Sequence, residues 1–286
     1  MMTNQQEGAG RGVLVTGCSS GIGRAIALHL ARRGFTVFAT VRREADRAAL
    51  EELGEPNLVP ICPLDLTRPA DIPPLVDCIE AELGRLGQTG LYALVNNAGG
   101  GAVAPVELMD TSAFRYELET RLSGPVALVQ ALLPLLRRGA GRIVWIVTPA
   151  IIPTPYVAGI HACDFAANCL ARTLDIELAP WGIPVIQVRC GGIKTAKGLD
   201  TVAQTGAILA HPRGELYRGQ LEGWAREMAD FDRHRTPPER VAELVAAALC
   251  AARPKHRYSI GHMAAAAAFL EALPQPLADA ILKARM

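Results

Sequence analysis

From Gly12 to Val188 short apolar runs alternate with stretches of helical period, the pattern of repeated strand–helix–strand units around a parallel sheet. Val13–Val15, Thr36–Thr40, Leu58–Pro60, Ala93–Val95, Ile143–Val147 and Val185–Val188 predict strands. Helices are predicted over roughly Ile22–Arg33, Glu44–Leu53, Ala70–Leu83, Ala113–Arg137 and Ala162–Leu178. Pro237 and Pro238 open another that runs to about Ala252, a short strand follows at Arg257–Ile260, and Gly214–Phe231 has an amphipathic period. No repeat, linker or long charge run divides the chain. The expectation is one α/β domain over 1–286, a doubly wound parallel sheet of about seven strands with helices on both faces. Residues 1–11 are expected to be a flexible N-terminus and 196–231 a mobile region beside a substrate.

Composition agrees with that picture and narrows the partners. Half of the residues are hydrophobic (50%) and few are aromatic (5%), which suits helices packed on a buried sheet. A formal net charge of +1 gives no field to gather nucleic acid or acidic lipid, so neither is an expected partner. The seven cysteines (18, 62, 78, 163, 169, 190 and 250) are scattered and contain no Cys-x-x-Cys pair, so a reduced, cytoplasmic setting without a metal is expected. Met1–Arg11 lacks the apolar core of a signal peptide, and no apolar run approaches the roughly 20 residues of a spanning helix. The apolar stretch Met263–Leu273 is expected to be buried in the fold or in a subunit interface.

Candidate chemistry begins at Thr16-Gly17-Cys18-Ser19-Ser20-Gly21-Ile22-Gly23, where a buried strand turns into an amphipathic helix with Ile22, Ala25, Ile26 and Leu30 facing inward. One glycine permits the tight turn, one lets the backbone approach a pyrophosphate, and one lets helix and sheet meet closely. The helix N-terminus offers unpaired N–H groups to the anion. This is the dinucleotide turn of a Rossmann-type domain. Val41-Arg42-Arg43 ends the second strand, where an acidic residue would bond the ribose of NAD; arginine there, with Ser19 nearby, suits a 2′-phosphate. NADPH (NADP+) is therefore the expected cofactor, ahead of NADH. Asp65, with Leu66 beside it after the third strand, either accepts from the adenine amino group or caps the next helix.

Thr16-Gly-x-x-x-Gly-x-Gly23 together with Asn96-Asn97-Ala98-Gly99 resembles the short-chain dehydrogenase/reductase family. The resemblance runs from about Gly12 to Gly261 and includes Gly141–Val144, Glu177–Gly182 and Gly191–Thr195; Ala39–Arg42 and Arg257–Gly261 are similar to the hydroxysteroid and retinol dehydrogenase branch. It implies that Ser20, Asn97, Ala98 and Gly99 line the cofactor and that Gly192, Ile193 and Thr195 hold its carboxamide end. It also implies a catalytic Tyr, a Lys four residues on, a Ser and an Asn. In this sequence the tyrosine position falls on Ile160, the lysine position on Asp164, the serine position on Thr148 and the asparagine position on Arg121. Shifting the frame to Tyr156 or His161 recovers no Tyr-x-x-x-Lys pair, and no Lys lies between Ser123 and Ile193 to substitute for the missing cation.

General acid catalysis contributes roughly 10²–10⁴-fold, while holding two reactants face to face contributes several kcal/mol more, so hydride delivery can survive without the tyrosine. Thr148 can donate a hydrogen bond but is a poor proton source. His161 points about 100° from the tyrosine position along a helix, Tyr156 is either a donor or a wall of the substrate site, Asp164 can accept from ribose hydroxyls, and Cys163 and Cys169 are read as core residues. Water or a hydroxyl of the substrate are the other proton sources. The emptied tetrad beside whole cofactor motifs resembles the atypical antibiotic-pathway ketoreductases of the simocyclinone-type angucyclinone branch. That implies a bulky hydrophobic ketone, possessing its own phenol, as the small-molecule partner. The competing expectation is a catalytically silent NADP(H)-binding subunit or sensor. The long helices imply a homo-oligomer, dimer or tetramer, with a hetero-oligomer containing an active homologue as the alternative.

Overall fold

The computed structural model describes residues 8–149, 153–195 and 206–283. Seven strands form one sheet: β1 (Gly12–Val15), β2 (Thr36–Thr40), β3 (Leu58–Ile61), β4 (Ala93–Asn96), β5 (Arg142–Val147), β6 (Val185–Cys190) and β7 (Arg257–Ile260). Their order is β3-β2-β1-β4-β5-β6-β7, and every neighbouring pair is parallel. Val13 sits opposite both Val37 and Ala93, so β1 is paired on both edges. Winding runs outward from β1 to β3 and then resumes on the other side at β4. The two halves part at the carboxyl ends of β1 and β4, which is where a sheet of this kind opens a crevice.

Alternation along the strands decides which helix covers which face. Val13 and Val15 point to one side, where Ile26 and Leu30 of α1 (Gly21–Arg32) meet Val241, Val245 and Leu249 of the helix Pro238–Cys250. Leu14 and Leu94 point to the other, onto Ile79 and Leu83 of α3 (Ile72–Arg85) and Leu128, Leu132 and Leu136 of α5 (Gly124–Arg138). Between α1 and α3 lies α2 (Glu44–Glu51). The expected α/β class, a parallel sheet of seven strands with helices on both faces, is met. Burial of each such Leu or Ile contributes about 1.5–3 kcal/mol, so the crevice is carried on a stiff frame.

Three elements differ from expectation, each for a physical reason. The helix expected over Ala113–Arg137 is α4 (Thr111–Leu118), a wider π turn over Glu119–Ser123, and then α5. Pro125 has no N–H to give the carbonyl of Arg121, and a Cβ on Gly124 would lie 2.3 Å from the carbonyl oxygen of Leu66. The next long helix, α6 (Ala158–Leu178), begins a turn earlier than expected, so Ile160 and His161 are helical. The apolar stretch from Met263 becomes two short helices, Ala264–Glu271 and Gln275–Lys283, and Phe269 remains 64% exposed, so burial within the fold does not hold for it. Of the terminus and the substrate-side region expected to be mobile, 1–7 and 196–205 lie outside the described residues. Residues 8–11 form a hydrogen-bonded turn, and 206–233 contain a helical turn over 206–209, a 3-10 turn at Gly214–Tyr217 and α7 (Arg218–Arg233).

Candidate active site

A cleft of about 330 Å³ opens at the carboxyl ends of β1 and β4. The predicted residues Gly17, Ser19, Ser20, Gly21, Ile22, Gly23, Arg42, Asp65, Leu66, Asn97, Ala98, Gly99, Arg121 and Thr195 line it together. Gly192 and Ile193 are not among its lining residues: they follow β6, bridged to His262 and Thr236, and the Ile193 side chain belongs to the core.

The turn is built as its sequence requires. Gly17 and Gly21 have φ of 72° and 60°, which L side chains rarely adopt. A Cβ on Gly23 would lie 2.4 Å from both Asn97 Nδ2 and the carbonyl oxygen of Gly17. Asn97 Nδ2 donates to the carbonyl oxygen of Thr16 (2.9 Å), and Thr16 Oγ1 accepts from the N–H groups of Asn97 (2.9 Å) and Ala98 (3.0 Å). These bonds lock the two motif segments together across the crevice. The first turn of α1 contains no acidic residue, so the positive end of its dipole faces the cleft unopposed.

At the adenosine side the two arginines separate. Arg43 is held by Asp46 through two bonds (2.7 and 2.8 Å), leaving Arg42 to line the cleft, where its guanidinium donates to the Tyr116 hydroxyl from α4. Asp65 does not cap a helix; its carboxylate accepts from the N–H (3.0 Å) and hydroxyl (2.8 Å) of Thr67. Burial pushes that carboxyl up, but the Thr67 bonds and the charges of Arg42 and Arg68 outweigh it and hold it below its ordinary value.

At the other end Thr148, Arg121 and Asp164 come together from β5, the π turn and α6. Asp164 Oδ2 accepts from the Thr148 N–H (2.8 Å) and hydroxyl (2.6 Å), and Oδ1 accepts from Arg121 Nη1 at 3.5 Å. Two expectations change. The Thr148 proton is committed to a carboxylate, so this hydroxyl presents lone pairs rather than a donor. Asp164 is 3% exposed and does not line the cleft, so its oxygens serve Thr148 and Arg121 rather than a ribose. The cation at this end comes from the π turn: Arg121 lines the cleft against Gly99, where a Cβ would lie 2.9 Å from Nη1.

A separate apolar wall is formed by Val103, Ala104, Tyr156, Val157, Ile160, Ile208, Leu221 and Trp224, and Ile160 joins it to α6, the helix that also contains Asp164. Ile160 is part of it, and Tyr156, at φ 69°, meets Trp224 edge-on at 5.7 Å. Burial pushes the Tyr156 phenol up, away from easy ionisation. Cys163 is buried as expected, with its thiol pushed up to about 11 by burial, whereas Cys169 is exposed and is not a core residue.

Over residues 11–204 the sequence matches the family described as short chain dehydrogenase. The chain belongs to the short-chain dehydrogenase family. The short-chain dehydrogenase relative 11-beta-hydroxysteroid dehydrogenase type 2 of Oryctolagus cuniculus is 36% identical over 266 residues, covering 88% of this chain and 64% of that protein. The chain thus spans less than two thirds of that relative's length. A short-chain dehydrogenase of Streptomyces avermitilis superposes with a TM-score of 0.75 over 96% of this chain and 97% of its own, at 25% identity. One from Burkholderia cenocepacia in complex with NADP superposes at 0.73 over 97% of this chain and 98% of its own, at 23% identity, a likeness of fold.

Within this short-chain dehydrogenase frame the structure adds residues that the motifs did not name. Tyr116 and Thr120 on α4 and the π turn line the cleft. Glu117 is 4% exposed; its Oε1 accepts from the Ala102 N–H, and Oε2 is buried without a partner among the described residues. Burial pushes the Glu117 carboxyl up against the lowering influence of the Ala102 N–H and of Arg121, with Asp164 adding to the rise. One signal existed: Tyr116, Thr120 and Arg121 lie four and five residues apart, on one side of the helix that leads into Ser123-Gly124-Pro125.

Proposed function

We propose that this chain is an NADPH-dependent ketoreductase that reduces a bulky hydrophobic ketone, an aromatic polyketide with a phenol beside its carbonyl being the chemistry that fits best. The observation that carries this reading is one cleft with a dinucleotide cradle at one end and, among the described residues, no positioned general acid at the other. Gly17, Gly21 and Gly23 with the N-terminus of α1 seat the pyrophosphate, Arg42 takes the 2′-phosphate and Asp65 the adenine. The Burkholderia cenocepacia neighbour's complex with NADP supports the choice of cofactor. When bound, NADPH supplies the reducing equivalent. The chain's own share is orientation: the wall containing Ile160, Tyr156 and Trp224 keeps water from the ketone face and fits a flat apolar substrate. The proton comes from the substrate: the phenol O–H, hydrogen-bonded to the adjacent carbonyl, passes its one proton to the developing alkoxide and the phenolate is reprotonated by water, while Thr148, its own proton held by Asp164, takes no part in the transfer. The exposed Phe165 and Ile176 on α6 support a homo-oligomer, and a cytoplasmic setting is proposed with it. No described helix is long and apolar enough to cross a membrane.

The test compares hydroxylated aromatic ketones with their O-methyl ethers under saturating NADPH. Turnover of the free phenols, its loss on methylation, and its survival in Thr148→Ala and Ile160→Ala are expected. Equal turnover of phenol and ether, or reduction of neither, overturns the reading.

The Thr148–Asp164 pair supports a second reading, a silent NADP(H)-binding subunit, because its hydroxyl and carboxylate satisfy one another without substrate. Recovery from its host in a stoichiometric complex with a homologue that has the Tyr-x-x-x-Lys pair is the outcome expected of that alternative.

A further inference from the structure

Arg121 has more donors than partners. A guanidinium offers five N–H groups. The one hydrogen bond that Arg121 makes among the described residues is the 3.5 Å contact to Asp164 Oδ1, and its Nε is buried with no partner there. Yet the residue is well placed: only 14% of its side chain is exposed, it lies against Gly99, and it lines the cleft. Such a fork beside a crevice is built for paired acceptor oxygens.

Charge decides which oxygens. Asp164 lies beside the guanidinium and neutralises it, with the buried Glu117 carboxyl near both. A phosphate brought here would meet Asp164 as well as Arg121, while a better anion seat with no acidic residue exists at the first turn of α1. Neutral hydroxyls meet no such repulsion. Position agrees: Arg42 and Asp65 follow β2 and β3 on one side of the glycine turn, whereas Arg121 lies against Gly99 after β4, and its partner Asp164 holds Thr148 after β5, on the other side.

We propose that Arg121 binds the vicinal hydroxyls of the ribose on the nicotinamide side of the dinucleotide, supplying from the π turn a cation where α6 places Asp164. Asp164 is then a positioning residue, which holds the guanidinium against Gly99 from behind. The π turn is what directs the side chain there, because Pro125 and Gly124 widen the helix at this residue. This assignment rests on the dinucleotide reading given above, and its test does not depend on turnover.

The test is a pair of titrations, by fluorescence or calorimetry, with NADPH and with adenosine 2′,5′-bisphosphate, which has no nicotinamide-side ribose. Arg121→Gln is expected to weaken NADPH by about ten- to a hundredfold while adenosine 2′,5′-bisphosphate stays within about twofold, the range for losing bonds from a charged donor. Arg121→Lys, which keeps the charge and the fold's ion pair, is expected to restore part of the loss, and Asp164→Asn to weaken NADPH selectively as well. Equal weakening of both ligands in Arg121→Gln and Arg121→Lys, or weakening of neither, overturns the assignment. A chain that binds both ligands but reduces no ketone overturns the ketoreductase reading and leaves Arg121 standing; one that binds neither overturns both.

Discussion

The two ends of the cleft are built on opposite terms. At the glycine turn the fixed parts are backbone: Gly17 and Gly21 at positive φ, Gly23 pressed on Asn97, and a helix terminus left open. At the far end they are side chains, Thr148, Asp164 and Arg121, drawn from three elements and bonded mainly to one another. The first end is unsatisfied and waits for an anion. At the second, Thr148 and Asp164 satisfy one another while Arg121 keeps donors to spare. One crevice thus combines an end set by backbone geometry with an end set by contacts between side chains.

Breaking the side-chain end should cost most in stability. Asp164→Ala leaves Arg121 and two Thr148 donors without their acceptor, and unfolding free energy is expected to fall by about 3 kcal/mol or more, read from urea denaturation. Damage to the backbone end should appear first in binding. Gly23→Val forces a side chain into Asn97 and Gly17, with an expected stability loss of about 1–3 kcal/mol and NADPH binding lost with it, measured by calorimetry.

Arg42→Ala sharpens the comparison further. It is expected to weaken NADPH about tenfold, near 1.4 kcal/mol, and to leave NADH unchanged, because only the 2′-phosphate is released. The smallest effect concerns Glu117. Its folded pKa is raised above the ordinary 4.5, so the folded state holds a proton that the unfolded state has given up. Stability from this group is whole below the ordinary value and is lost as pH rises through the raised one. Glu117→Gln should therefore gain in melting temperature relative to the parent chain as pH goes from 4.5 to 8, and a constant difference would show that Glu117 does not titrate in that window.

How much was legible follows from the same division. The glycine turn could be read from eight consecutive residues because its constraints are local, and the strand pattern was equally plain because β1, β4 and β6 are buried on both faces. Arg42 was legible as a candidate, but not that Asp46 holds Arg43 away and that Tyr116 holds Arg42 at the cleft. The far end was legible as a set of positions and not as an arrangement. Arg121 and Asp164 lie 43 residues apart, and the direction of Arg121 depends on a helix defect whose only mark is Gly124-Pro125. The absence of Lys from α6 hid the fact that a cation from elsewhere reaches the cleft. Glu117 gave no signal, since a lone Glu on a helix reads as surface until the loop at Ala102 is folded over it.

The bridge from Arg42 to Tyr116 bears on rate as well as affinity. It spans the cleft from the end of β2 to α4 and keeps the guanidinium extended toward the position that a 2′-phosphate takes on the proposed reading. A phosphate dianion is a far stronger acceptor than a neutral phenol, so exchange of one for the other is downhill and the bridge subtracts little from equilibrium binding. Its cost falls on association, which must wait for the phenol to swing aside. Tyr116→Phe removes that gate, and the chain should then load and release its dinucleotide faster in nearly equal measure, with Kd little changed.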